Sequence, residues 1–475
     1  MSARLPTHDR RQWLIASSMG ACGAVLAGSG LSARSGDVPA SPDLAMPLFG
    51  ASGSPDWKAI AAQHLVADGL TYFNAGTCGL SLRSVVEAEC RDREAISRDF
   101  IKYFVEHYFG EPPAKMVDRV AAFVGAPKDD VAIVSGTTEA MNIIASGLDL
   151  APGDEVVTTT HEHQAGIYPW LLAAKRRRCT VTQVPLPSPA KSAAEILDRV
   201  ATAIGPKTRV LSICHINYTD GTIMPVKALC ALARQKGILS VVDGAQAVGM
   251  LDVRVADIGC DVYATSLHKW LGSPYGTGLL AIRRDVQDRI WPSVVEGFDG
   301  WDTVDRYGNK PTNPGRDFVG TWPAAMQKYA WGVAYFGPLI WAAMGALELH
   351  EAIGRDRVEA RTRELTIRLR KGLAEIPGLV LLTPEDPTLW AGMTSFRIPG
   401  LATRALNTAL NRENRIVIRT VTHGAIGFDA NRVCTHIFNT EEQVDQLLGV
   451  LNDRARKAAT SKAARPRPSS SPSLS

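Results

Sequence analysis

Thr265-Ser266-Leu267-His268-Lys269-Trp270-Leu271-Gly272 lies shortly after an apolar run that ends in Asp243-Gly244-Ala245-Gln246. A lysine among polar residues and glycines is by default a solvated surface charge. Here the strand-like run Ile238 to Val242 delivers an aspartate, and Val262 to Ala264 leads into Ser-x-His-Lys. Ser266 and His268 suit a phosphate while Lys269 attacks a carbonyl. That combination points to a lysine holding pyridoxal 5'-phosphate as a Schiff base.

Outward from this stretch, short β-branched runs alternate with helical patterns from about residue 71 to 290. Val131 to Val134, Glu155 to Thr159, Val210 to Cys214, Ile238 to Val242 and Gly278 to Ile282 are the strand candidates. Such alternation predicts an α/β fold with a mainly parallel central sheet wrapped by helices. A Gly, Pro, Asp and Asn-rich segment runs from Glu296 to Pro323, and a long helical region from Ala324 to about Glu375, interrupted near Gly337-Pro338 and at Gly354. Strand-helix alternation then resumes and ends in a helical pattern over Glu441 to Leu451. The expected division is 1-40 signal peptide, 41-70 N-terminal arm with a first helix, 71-323 large domain, 324-456 linking helix and smaller C-terminal α/β domain. The Ala/Lys and Ser/Pro-rich tail, 457-475, is expected to be disordered.

The chain of 475 residues is long enough for two or three domains with a substantial core, and 45% hydrophobic with 21% charged residues is ordinary for a soluble enzyme. A formal net charge of +4 without a clustered basic face argues against nucleic-acid binding. The eight cysteines (Cys22, Cys78, Cys90, Cys179, Cys214, Cys230, Cys260, Cys434) are scattered, without a close pair to suggest zinc, and imply no disulfide. Asp9-Arg10-Arg11-Gln12-Trp13-Leu14-Ile15 precedes a Gly/Ala-rich apolar stretch to Leu31. Paired arginines before a modest apolar segment resemble a twin-arginine export signal, cleaved near Ala33 or Ala40. The stretch is too weak for a permanent membrane anchor. A periplasmic location follows as an expectation, with the twin-arginine machinery as a partner.

Ser135-Gly136-Thr137-Thr138-Glu139 follows Val131 to Val134 and opens a helical pattern, placing a glycine and hydroxyls where free N–H groups favour an anion. A simple helix cap uses the same residues. His161-Glu162-His163-Gln164-Ala165 follows Glu155 to Thr159. Two histidines at that spacing lack a third metal ligand, so no metal is expected, and His161 reads as a structural histidine. Asp243 ends a strand at the edge where α/β sheets bind ligands, and a buried aspartate needs a cation such as a protonated pyridine nitrogen. Lys269 must have its amine deprotonated to attack, through desolvation and a nearby positive charge.

Gly136-Thr137-Thr138-Glu139, Glu162-His163-x-Ala165, Asp243-Gly244-Ala245-Gln246 and Ser266-x-His268-Lys269 resemble, in order, motifs of the class V aminotransferase family of fold-type I pyridoxal-phosphate enzymes. That family includes cysteine desulfurases, kynureninases and isopenicillin N epimerase, and the overall wording is nearest the epimerase-like subgroup. The resemblance spans roughly residues 70 to 450. It implies that Lys269 carries the aldimine, Asp243 pairs with the pyridine nitrogen, and His163 stacks on the ring and shares in catalysis. Gln246 would contact the ring oxygen or the aldimine, and Thr137, Thr138, Ser266 and His268 the phosphate. Arg316-Asp317-Phe318-Val319-Gly320-Thr321 resembles a segment reaching the neighbouring subunit's phosphate through Thr321, which implies a homodimer with shared active sites. Arg432 is the better candidate for a substrate carboxylate, with Arg419 second, because a planar fork suits that task. Asn74, at the end of Thr71-Tyr72-Phe73-Asn74, is a further substrate-side candidate.

Two departures matter. Desulfurases of this kind carry a reactive cysteine five residues beyond the first late arginine, where this chain has Gly424. In His215-Ile216-Asn217-Tyr218-Thr219-Asp220-Gly221, Tyr218 stands where many relatives have asparagine, with Asn217 one residue earlier, so either is the cofactor contact. The expected function is that of an exported enzyme acting on an amino acid or peptide amine, as an aminotransferase or epimerase-like enzyme. A C–S lyase or desulfurase is the alternative within the family, and a non-catalytic binding protein on a degenerate fold the alternative outside it.

Overall fold

The structure is a computed structural model that describes residues 48–50, 53–103, 111–293, 326–329 and 333–463. A short first strand, β1 (Thr71–Tyr72), stands apart from the main sheet. That sheet comprises β2 (Val131–Val134), β3 (Glu155–Thr159), β4 (Thr180–Val184), β5 (Thr208–Cys214), β6 (Leu239–Asp243), β7 (Val262–Ser266) and β8 (Gly278–Ile282). Its order is β2-β8-β7-β6-β5-β3-β4, with β8 antiparallel to both neighbours and all other pairs parallel. Successive strand residues point to opposite faces. Val157, Leu211, Val242, Tyr263 and Leu279 accordingly enter one core, while Val156, Val210, Val241, Val262 and Leu280 enter another. Burial on both faces explains why these strands read as continuous apolar runs.

The strand candidates recur within a residue or two, but β4 was not among them. It is an edge strand with mostly half-exposed side chains, so burial left little signature in Thr180–Val184. The expected interruption at Gly337-Pro338 is corrected: one helix, Val333–Ile353, runs through Pro338. Proline removes one helical hydrogen bond, yet Trp341, Ala342, Ala343, Ala346 and Leu347 just beyond it are buried in the core, and that packing outweighs the loss. The break at Gly354 does occur, where φ of 94° favours glycine before the helix Arg355–Ala374.

The C-terminal part holds a four-stranded antiparallel sheet, with β9 (Val380–Leu381), β10 (Met393–Arg397), β12 (Arg419–His423) and β13 (Phe428–Cys434) in the order β12-β13-β10-β9. Leu365, Leu369, Phe396, Leu410, Val444 and Leu447 form its core. β11 (Ile416–Val417) leaves that region to pair in parallel with β1, tying the early chain to the late one. The last helix, Glu441–Ala463, continues past Lys457, where the chain was expected to lose structure, because alanine and lysine favour helix. Among the described residues no helix is long and apolar enough to cross a membrane.

Candidate active site

Five strands of the main sheet end at one edge, and the loops beyond them build a cavity of about 550 Å³. β2 leads to Thr137 and Thr138, β3 to His163, β5 to Tyr218, β6 to Asp243, and β7 to Ser266, His268 and Lys269. Arg419 and Arg432, from β12 and β13, close the far wall. The sheet edge is the usual ligand position of such folds.

At one end, the helix Thr137–Gly147 starts after Gly136 without a cap from that residue, and a helix start favours an anion. The Ser266 hydroxyl accepts from Thr137 N at 3.0 Å and lies 2.8 Å from Thr137 Oγ1, which fixes both hydroxyls beside that helix start. Gly278 makes the arrangement possible, since a Cβ there would stand 2.3 Å from Gly136 Cα. His268 Nδ1 is 3.1 Å from the Thr277 carbonyl. Donation to that oxygen leaves Nε2 for the cavity.

Asp243 is buried at the cavity floor. Its Oδ1 accepts from Ala245 N at 2.9 Å, while Oδ2 has no hydrogen-bond partner among the described residues. Burial pushes its carboxyl up, and the Lys269 charge only partly opposes this. Lys269 keeps part of its side chain open to the cavity, yet desolvation lowers its amine, against the pull of Asp243 and aided by Arg432. Both groups are therefore biased towards neutrality, the state a nucleophilic amine requires.

His163 caps the helix Gln164–Arg177. Its Nδ1 accepts from Ala165 N at 3.2 Å, so the ring proton sits on Nε2. Burial, then the charges of Lys269, Arg432 and Arg419, lower this imidazole to about 4. A flat neutral ring is the result. Tyr218 stands edge-on to it, with centroids 5.1 Å apart at 88°.

The structure brings Tyr218 to the cavity wall, whereas the Asn217 amide oxygen turns to the Cys214 thiol at 3.2 Å. Gln246 lines the cavity with its amide held at both ends: Nε2 donates to the Gly76 carbonyl at 2.9 Å and Oε1 accepts from Trp270 Nε1 at 2.8 Å. Asn74 is not on the wall. Its Oδ1 accepts from Thr77 Oγ1 at 2.8 Å and shapes the turn that delivers Gly76 and Thr77 there. Thr321 and residues 1-40 lie outside the described residues. His161 is fully buried, with Nδ1 2.5 Å from Thr219 Oγ1 and Nε2 3.2 Å from the Leu186 carbonyl, a structural histidine.

Gly76 and Thr77 were missed from sequence. The glycine directly after the Asn74 turn was the available signal: a Cβ on Gly76 would lie 3.0 Å from Arg432 Nη2 and 3.2 Å from Gln246 Oε1. Glu162 was read only as part of a motif. It is buried, accepts from Thr159 Oγ1 at 2.7 Å, and is pushed up to about 8 by burial and then by Asp243.

Arg419 and Arg432 face each other across the β12–β13 ladder. Like charges so paired repel. Arg432 is 2% exposed, donates to the Tyr218 carbonyl at 2.5 Å, and leaves its buried Nε without a partner. Neither arginine forms a salt bridge among the described residues. A buried guanidinium without a carboxylate calls for an anion from outside.

These features define a fold-type I site: a carboxylate oxygen free of protein hydrogen bonds for a pyridinium, a helix start for a phosphate, and a desolvated lysine for a carbonyl. The chain belongs to the Aminotransferase class-V family, whose model matches residues 114–447. It is 31% identical over 417 residues to isopenicillin N epimerase of Amycolatopsis lactamdurans, covering 84% of this chain and 99% of that protein. A probable cysteine desulfurase of Halalkalibacterium halodurans is 29% identical over 344 residues, covering 70% of this chain and 79% of its own length. Among solved structures, a mutant of C-DES with glycine covalently linked to its PLP cofactor matches with a TM-score of 0.69 at 25% identity, over 81% of this chain and 97% of that one. Pyridoxal 5'-phosphate is the cofactor, and the residues present fit it.

Proposed function

We propose that this chain is an epimerase-like or transaminating enzyme that acts on the amino group of a carboxylate-bearing small molecule, an amino acid or peptide. The uncompensated Arg432, facing Arg419 in the cavity that Lys269 also lines, carries this reading, because it supplies a charge that an anionic substrate satisfies. When bound, pyridoxal 5'-phosphate supplies a carbonyl for the amine and an electron sink for Cα chemistry. Thr137, Thr138, Ser266 and His268 would hold its phosphate, Asp243 its pyridine nitrogen, and His163 would cover the ring. Arg432 orients the substrate carboxylate. The Lys269 amine, desolvated and next to Arg432, accepts the Cα proton as a general base.

The similarity to an isopenicillin N epimerase over most of both chains favours inversion at Cα over amino-group transfer. The desulfurase alternative is weakened at Gly424. A thiol is lacking there, and Cys434 is fully buried at the end of β13. The rival reading, a binding protein without catalysis, is weakened by the retention of Lys269 and Asp243 in one desolvated pair.

Purified protein is expected to carry a visible absorbance band that borohydride bleaches, and Lys269→Ala to lose the bleachable band. A colourless protein that takes up no pyridoxal phosphate would sink the enzyme reading. We further propose a periplasmic homodimer, supported by Arg10-Arg11 before the Gly/Ala-rich stretch and by the family-like segment ending in Thr321. Cell fractionation and the solution mass of the purified protein test these two points.

A further inference from the structure

We propose that Tyr218 is a catalytic acid that delivers a proton to the substrate Cα from the side opposite Lys269, so that the site inverts its substrate. The proposal rests on the reading of Lys269 as the base of a pyridoxal-phosphate enzyme. Sheet order separates the two groups. β6, which ends in Asp243, lies between β7 on one side and β5 then β3 on the other. Lys269 follows β7, whereas Tyr218 follows β5 and His163 follows β3. The two proton-bearing side chains therefore enter the cavity from opposite sides of the residue on its floor.

Tyr218 is half-buried on the cavity wall, and its hydroxyl has no hydrogen-bond partner among the described residues. His163, edge-on to it at 5.1 Å, is a poor rival as acid, because it is held neutral and giving up its Nε2 proton would leave an imidazolate. Burial raises the phenol above its ordinary range, so it is protonated at neutral pH, while Arg432 and then Arg419 favour the phenolate left after donation. Lys269 is shifted the other way, towards a free amine. Environments that push two groups apart in this manner separate an acid from a base.

The step balances. The Cα–H bond on the Lys269 side breaks, its proton passing to Nζ and its electron pair staying with the substrate. That pair then forms a new C–H bond with the phenolic proton of Tyr218 on the other side. The ammonium and phenolate left behind reset by exchanging protons with water in the cavity.

The test is the Tyr218→Phe holoenzyme in deuterated water, with isopenicillin N and L-alanine as probes, following label and configuration at Cα together with the visible band. Wild type is expected to give labelled, inverted product. Tyr218→Phe should lose inversion by roughly a hundredfold or more, while label still enters probe of unchanged configuration through Lys269. Its visible band should keep its position and pH midpoint. Inversion by Tyr218→Phe at the wild-type rate overturns the proposal, as does a shifted band, which would make Tyr218 a ring contact instead. A wild type that labels only with retention also overturns it and leaves the Lys269 reading standing. A wild type that neither labels nor inverts either probe removes that reading, and the proposal with it.

Discussion

At the scale of single residues, the site is governed by desolvation. Lys269 and Asp243 attract one another, yet burial dominates both and leaves each biased towards its neutral form. Glu162 shows the same rule without a cation to relieve it. Raised from 4.5 to about 8, it holds a proton in the folded protein at pH values where the unfolded chain has lost it. The folded state thus binds more protons across that window, and stability falls as pH rises through it. Glu162→Gln is expected to remove this loss, so that its stability gain over wild type grows by on the order of 1 kcal/mol per pH unit between those limits. Denaturant melts at several pH values measure it. A gain that stays constant with pH would show that Glu162 is ionised throughout. Lys269 was legible as a motif, whereas Glu162 was not, because nothing in His161-Glu162-His163 states which side chain turns inward.

At the scale of elements, the strands and the helix starts after them were legible because two-sided burial writes apolar runs and phosphate cups use glycine and hydroxyls. β4 escaped for lack of burial, and Pro338 misled because local chemistry disfavours helix where the packed core enforces it. The Gly136–Gly278 approach is an element-scale device: β8 runs close enough to the cup to exclude any side chain. Gly278→Ala is expected to destabilise by about 1–3 kcal/mol, as overpacking does, and to loosen cofactor retention by displacing the helix start. Thermal melting and the cofactor released on dialysis report the two effects. An unchanged melt with full retention would mean that β8 yields at no cost.

At the scale of the whole molecule, the Lys269 loop is seated on the later part of the chain. His436 Nε2 lies 2.5 Å from the Trp270 carbonyl, and His350 bonds to the carbonyl of Leu271. His64, also buried, packs on Phe438 in the same region. Burial lowers His64 to about 4 and His350 to about 3, from 6.5. Below 6.5 the unfolded chain binds protons that the folded one refuses, so stability falls as pH drops from there towards 4. Melting temperature should decline over that range, and His350→Phe should flatten the decline. A decline in His350→Phe as steep as in wild type would contradict neutral burial of that ring.

Sequence by itself determined the alternating architecture, the cofactor and the lysine that meets it, because periodicity and short motifs depend only on neighbours along the chain. Tertiary structure alone decided that Tyr218 rather than Asn217 reaches the cavity, that Arg419 and Arg432 stand opposed without an acid, and that Gly76 opens the space between Arg432 and Gln246. Gly76 meets residues far along the chain, and even the arginine pair depends on which residues the β12–β13 register sets opposite. These relations arise from sheet order and strand register, which no local stretch of the chain encodes.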